Sequence, residues 1–220
     1  MATTLESGTM GKSGRFSDVV TTSDELREIV GDVYPAAVTK VIDHLDGFCI
    51  DFIRHAPFFV IGSGGGSREV DVSPKGDPAG FVRVIDHTTL AIPDRPGNAR
   101  MDTFLNVLEN PKVALIFLVP GRKDTLRVAG RAEIVADEDL RRSMTEQGKV
   151  PRLVMVVHVE RAFFHCTKCM VRSNLWKPEA WPDTSGMQSF GAAIVAQAKL
   201  KETAAEADAY MKSAEQNRLY

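Results

Sequence analysis

Two arginines close to a helix start are the residues of this chain best placed to do chemistry. In Ile92-Pro-Asp-Arg-Pro-Gly-Asn-Ala-Arg100, Arg95 and Arg100 flank a helix predicted to begin near Asn98. Met101, Phe104, Leu105 and Leu108 follow at i, i+3, i+4 and i+7, one apolar stripe that packs on a core, and Asn110-Pro111 ends the helix. Asn98 is a suitable N-cap. The unpaired amides of a helix N-terminus already carry partial positive charge, so a cation there is disfavoured by roughly 0.3–1 kcal/mol unless something negative sits with it. A phosphate meets that requirement, held by backbone N–H groups and guanidinium forks. Asp94 and Asp102, as surface counter-charges, meet it too, and these residues alone leave both readings open. Arg68, Ser73 and Lys75 flank a β-rich run and in an antiparallel fold can approach the same anion.

Other motifs are weaker. Gly62-Ser-Gly-Gly-Gly-Ser67 follows a strand, but it lacks the G-x-G-x-x-G order, and the next run, Glu69-Val-Asp-Val72, is strand-like rather than helical. A flexible hairpin connection fits it better. His165-Cys-Thr-Lys-Cys169 offers three clustered ligands, without the second C-x-x-C or His pair of a structural zinc site and without a βαβ context for a redox dithiol, so buried or partly buried thiols are expected. Lys168, Arg172 and Trp176 lie four apart and on a helix would share a face, two cations and an indole suited to an anion and a planar ring, or a core Trp beside solvated charges. No Ser-His-Asp arrangement and no H-E-x-x-H is readable. A chain without an obvious acid–base set suits chemistry borrowed from a cofactor, which the protein must bind and orient.

The elements that must position these residues change character along the chain. The 220 residues suit one domain with appendages, and 27 basic against 29 acidic residues, a net charge of −2, give no global case for nucleic acid or an anionic membrane. No apolar run approaches a membrane span, residues 1–22 lack a signal-peptide pattern, and three cysteines make no disulfide framework, so a cytoplasmic location is expected. Residues 1–21 read as a mobile arm. Helices are expected from a capping box at Thr22–Glu25, from Pro35 toward His44, and from Asp46 to Ala56. Short β-rich runs follow at 58–61, 69–73, 81–85 and 89–92. Val113–Val119 is continuously apolar, as in a strand buried on both faces. Leu126–Ile134 alternates, with Gly130 marking a bulge or close backbone approach. A helix over 137–147, an apolar strand over 153–159 and an Ala/Glu/Lys-rich helical extension over 183–220, expected to pack on a partner subunit or fray, complete the chain. Short connections favour a mainly β, α+β fold, with residues 22–182 as an antiparallel barrel flanked by helices.

In their order, Val70-Asp-Val-Ser-Pro-Lys75, Ile92–Arg100, Leu108–Phe117 and Thr125–Ala132 resemble the FMN-binding split-barrel family of pyridoxamine phosphate oxidase. The tail Phe163–Trp176 resembles a poorly characterised subgroup in which a late Trp and basic residues come near the flavin. The resemblance implies a split β-barrel homodimer with FMN at the subunit interface, and a flavin-dependent oxidoreductase. It implies that Arg68, Lys75, Arg95, Asn98 and Arg100 serve the phosphate end. Ser73 and Ile92 would position the ring system, Thr125 falls where the oxidase has a glutamine on FMN, and Lys168, Arg172 and Trp176 would close the pocket. The oxidase's C-terminal Arg-x-His segment has no counterpart, and its Arg-x-Val-Leu-Leu-Lys strand is replaced by Arg68-Glu-Val-Asp-Val-Ser. The substrate implied is therefore an unidentified small molecule. A deazaflavin-dependent reductase of the same fold, or a non-catalytic flavin or haem binder, are the alternatives.

Overall fold

The computed structural model describes residues 16–66 and 70–220, so Arg68 lies outside the described residues. The chain divides into two compact units, Met1–Thr39 and Lys40–Tyr220. The described part of the first holds α1 (Ser23–Val30), opened by the capping box of Thr22 and Glu25, and α2 (Pro35–Thr39).

The second unit is built on one antiparallel sheet. Its elements in order are α3 (Gly47–His55), β1 (Phe58–Gly64), β2 (Val70–Gly76), β3 (Arg83–Asp86), β4 (Thr89–Pro93), α4 (Asp102–Glu109), β5 (Lys112–Leu118), β6 (Thr125–Val135), α5 (Glu138–Ser143), β7 (Val154–His165), α6 (Lys168–Arg172), α7 (Phe190–Ala198) and α8 (Ala204–Asn217). The seven strands pair in the order β2-β1-β5-β6-β7-β4-β3. This is the antiparallel split barrel with flanking helices expected from the short connections between strands. Asp46 caps α3 by accepting the Cys49 N–H at 2.8 Å, and Cys49, Phe52 and Ile53 bury that helix against the sheet. Phe59 stacks on Phe81 and tilts against Phe117, with ring centroids 5.8 and 5.1 Å apart. Leu90, Leu126, Val128, Met155 and Val157 fill the same core.

β2 and β4 are five strand spacings apart, about 24 Å on a flat sheet, yet Lys75 of β2 and Asp94, just past β4, line one cleft. The sheet must therefore curl. A bulge between Ala129 and Gly130, where β6 meets β7, supplies local bending and twist. It admits only glycine: a Cβ on Gly130 would sit 2.0 Å from the His158 carbonyl oxygen.

Several expectations need correction. α4 starts at Asp102, and its N-cap residue is Met101, not Asn98, because Ala99 and Met101 are both left-handed, with φ of 60°. Two such residues cannot lie in a right-handed helix. β5 is buried on one face only: Val113, Leu115 and Phe117 point inward, while Ala114 is exposed and Ile116 and Leu118 are half-buried. The helix expected over 137–147 stops at Ser143. α6 ends at Arg172, before Asn174 turns left-handed, so Trp176 shares no helix face with Lys168 and Arg172. Cys166 and Cys169 are exposed, and only Cys49 is a buried thiol. The C-terminal extension is two helices rather than one, α7 and α8 packed on each other, with Asp208 accepting the Gly191 N–H at 2.7 Å.

The glycine run after β1 seats α4. Gly66 donates its N–H to Glu109 Oε2 at 2.6 Å, Asn110 Nδ2 donates to the Gly64 carbonyl at 3.0 Å, and Asn106 Nδ2 to Ser63 Oγ at 3.1 Å. Backbone clash at the bulge makes Gly130→Ala the most disruptive single-methyl change in the sheet. It is expected to lower unfolding free energy by at least about 2 kcal/mol, read as a lower urea midpoint, and an unchanged midpoint would show that β6 accommodates a side chain there.

Candidate functional site

A cleft of about 620 Å³ opens between β2, the loop leaving β4, the N-terminus of α4 and the segment before β7. The alternation of β2 presents Asp71, Ser73 and Lys75 on one face, the half-buried one, and the cleft takes all three. Across from them, residues 94–101 form an irregular loop fixed by its own chemistry. Asn98 Oδ1 accepts the Arg100 N–H at 3.1 Å, so the asparagine caps a turn instead of the helix. The sign of φ alternates from Asn98 to Met101, positive at Ala99 and Met101. Alternating hand turns successive N–H groups inward as an anion-binding nest, and non-glycine residues held left-handed cost about 1–3 kcal/mol each. No side chain caps α4, so its first amides continue the nest.

The charges around the cleft are unequally committed. Arg95 donates Nε–H to Asp77 Oδ2 at 2.6 Å and Nη2–H to the Met144 carbonyl at 3.2 Å, in a pair whose side chains are 16% and 2% exposed. Tyr220 donates its hydroxyl to Asp77 Oδ1 and places its ring 5.6 Å from the Arg95 guanidinium carbon. Arg100 meets Asp102 at 2.7 Å but remains 72% exposed. Lys75, Lys149 and Arg152 line the cleft without an ion pair among the described residues. Burial pushes the Asp94 carboxyl above its usual range, against the lowering fields of Lys75, Arg152 and Arg95. The result is a concave surface with surplus positive charge, backbone donors and one carboxyl under strain to stay ionised. Such a surface fits a phosphate group.

Of the residues singled out in the sequence, Ser73, Lys75, Arg95, Asn98 and Arg100 converge here. Others do not line the cleft. Ile92 is 2% exposed, pairs with Met155 and faces the core. Thr125 is buried at the start of β6, its hydroxyl without a hydrogen-bond partner among the described residues. Lys168 and Arg172 lie on α6, and Trp176 donates its indole N–H to the Arg122 carbonyl at 2.7 Å. Arg122 in turn borders a second crevice, of about 750 Å³, with Lys40, Phe52, Asp124 and Phe163. Sequence reasoning missed Asp71, Asp77, Lys149, Arg152 and Tyr220. Lys149 and Arg152 bracket Pro151 just ahead of the last strand, a basic pair that could have been flagged; nothing in spacing ties Asp77 or Tyr220 to Arg95. Among the described residues no group of three His, Cys, Asp or Glu could hold a metal, and no helix is long and apolar enough to cross a membrane.

A model of the pyridoxamine 5'-phosphate oxidase family matches residues 46–166, more than half of the chain. The chain belongs to that family. The match spans α3 through the end of β7, and so includes β2, the 94–101 loop and the bulge. No curated protein matches the chain. Similar solved structures include HupZ of Group A Streptococcus, 23% identical over 52% of this chain and 89% of that one with a TM-score of 0.44. An FMN-binding protein from Syntrophomonas wolfei is 12% identical over 53% and 86%, with a TM-score of 0.42. General stress protein 26 from Bacillus anthracis is 13% identical over 52% and 88%, with a TM-score of 0.40.

The state of Asp94 gives this family member a pH signature. A carboxyl whose folded value lies above the unfolded 3.8 binds its proton more tightly in the folded chain, so its contribution to stability falls as pH rises from 3.8 through the folded value. Asp94→Asn is expected to raise the thermal midpoint at pH 7 and to leave it unchanged at pH 3, where both states are protonated. A lower midpoint at pH 7 would mean that Lys75, Arg95 and Arg152 outweigh burial.

Proposed function

We propose that the cleft binds FMN by its phosphate and that the chain works as a homodimeric, flavin-dependent oxidoreductase on an unidentified small molecule. One observation carries the reading: Lys75, Asn98 and Arg100, chosen for their types and spacing, meet in a single cleft at a nest of left-handed residues, with further unpaired cations beside them. In this reading Arg100 and Lys75 neutralise the phosphate and the 98–101 backbone donates to it. Asp102 holds the Arg100 guanidinium in place through Nε, while exposure leaves its other edge free for the ligand. Ser73, on the same face of β2 as Lys75, directs the hydroxyl side of the ligand, and the strand carrying Ile92 forms a firm backing behind it. Bound FMN supplies the electron transfer.

Three of the remaining assignments belong to the second protomer. Lys168, Arg172 and Trp176 do not line this cleft, and in the proposed dimer they close the site as residues of the partner subunit, whereas Thr125, buried within its own chain, takes no part. The outer face of the sheet supports that assembly. Val70 and Val72 of β2 and Ala114 of β5 leave apolar surface exposed in the single chain. Pairing there would bury the second face of β5, whose run of seven apolar residues, Val113–Val119, otherwise has no reason to be apolar on both sides.

The test is the visible spectrum of the purified protein, with mass spectrometry of what denaturation releases. A two-band flavin spectrum and released FMN are expected, with bleaching by an electron donor and recovery in air. Arg100→Ala is expected to weaken FMN binding at least tenfold, since it removes a charge-assisted contact worth about 1.5–3 kcal/mol. A protein that is colourless and binds no added FMN would sink the reading, and release of a deazaflavin would keep the cleft but replace the cofactor.

A further inference from the structure

Tyr220 lies three residues beyond α8 and 143 residues from Asp77, yet it forms part of the cleft wall. The helices that deliver it pack mainly on each other: α7 and α8 form a hairpin fixed by Asp208 on the Gly191 amide, where a Cβ would collide with Asp208 Oδ1 at 2.5 Å and the Ala204 carbonyl at 2.6 Å. No strand packs extensively on this hairpin. Its tail is nonetheless seated on the most buried ion pair of the cleft.

That seat determines what Arg95 can do. Both oxygens of the Asp77 carboxylate are engaged, Oδ1 by the Tyr220 hydroxyl and Oδ2 by Arg95 Nε–H. The guanidinium is further held through Nη2 by the Met144 carbonyl, and its carbon lies 5.6 Å from the centroid of the Tyr220 ring. Nη1 has no hydrogen-bond partner among the described residues, and Arg95 lines the cleft. The cleft retains about 620 Å³ with Tyr220 in place, so the tyrosine is a wall beside the ligand space rather than a plug in it.

We propose that Tyr220 is a positioning residue. It clamps the Asp77–Arg95 pair so that Arg95 presents its Nη1 group to a phosphate-bearing ligand in one fixed orientation, and it makes the α7–α8 hairpin a closing element whose seating and ligand binding reinforce each other. The inference rests on the cleft being a phosphate site. Tyr220 loses its Asp77 hydrogen bond and its cation–π contact together when the tail lifts, and Arg95 then regains rotamer freedom that must be given up on binding. Consistent with the seat, hydrogen bonding to Asp77 pushes the Tyr220 phenol up to about 12.

The full chain is titrated with FMN, with riboflavin, which lacks the phosphate, and with inorganic phosphate. Tyr220→Ala is expected to raise the dissociation constants of FMN and phosphate three- to tenfold and that of riboflavin less than twofold. Tyr220→Phe, which keeps the ring, falls between. In an Arg95→Ala background the Tyr220→Ala effect is expected to vanish, since coupled residues are non-additive. Equal weakening of all three ligands, an undiminished effect without Arg95, or affinities within twofold of the unsubstituted chain would overturn the proposal. If the unsubstituted chain binds phosphate but not FMN, the flavin reading falls and the phosphate series alone decides the role of Tyr220; if it binds neither, both fall.

Discussion

The curl of the sheet is the constraint on which everything else depends. Seven antiparallel strands laid flat would hold β2 and β4 far apart, and no cleft would exist between them. The long β6–β7 ladder, with its bulge at Gly130, is where the sheet gains part of its bend, and the side-chain core of Phe59, Phe117, Leu126 and Val157 fills the concave side that results. Curvature brings Lys75 into the field of Asp94. Site and fold are therefore one problem: the carbonyl of His158 that forbids a side chain at position 130 is part of what sets the geometry of a cleft formed by other strands.

Charge at that cleft follows a division of labour. Arg95 is stabilised internally, its charge matched by a nearly inaccessible carboxylate, and contributes direction more than attraction. Lys75, Lys149 and Arg152 are the reverse, cations without fixed partners whose field remains available to an incoming anion. Arg100 stands between, tethered to Asp102 yet mostly in water. Burial of Asp94 beside them disfavours its negative charge, so less of their positive charge is neutralised from within the cleft.

Much of this was legible in the sequence, for identifiable reasons. Period-two alternation in 125–135 and the short connections gave the antiparallel barrel, and Gly130 in the middle of an alternating run announced its bulge. The clustering of Ser73, Lys75, Asn98 and Arg100 was readable because block order carries a family signature. Helix-start reasoning failed at Asn98 because the residue's cap chemistry was real but served a turn, and left-handed Ala99 and Met101 leave no mark in residue type. The one-sided burial of β5 was missed because an unbroken apolar run carries no alternation to mark which face is buried. Trp176 went astray because a four-residue spacing shares a face only on an unbroken helix, which Asn174 interrupts. Tyr220 and Asp77 were invisible: contacts across 143 residues have no local pattern to find.

Gly65 and Gly66 bring the backbone after β1 close against α4: a Cβ on Gly65 would meet the side-chain ends Asn106 Oδ1 at 2.8 Å and Glu109 Oε2 at 2.9 Å. α4 is moored at its C-terminal turn by this loop, and its other end, about 12 Å away along eight residues, carries the nest. The helix therefore joins two parts of the chain: its last turn is tied to the backbone after β1, and its first follows directly on the residues of the nest.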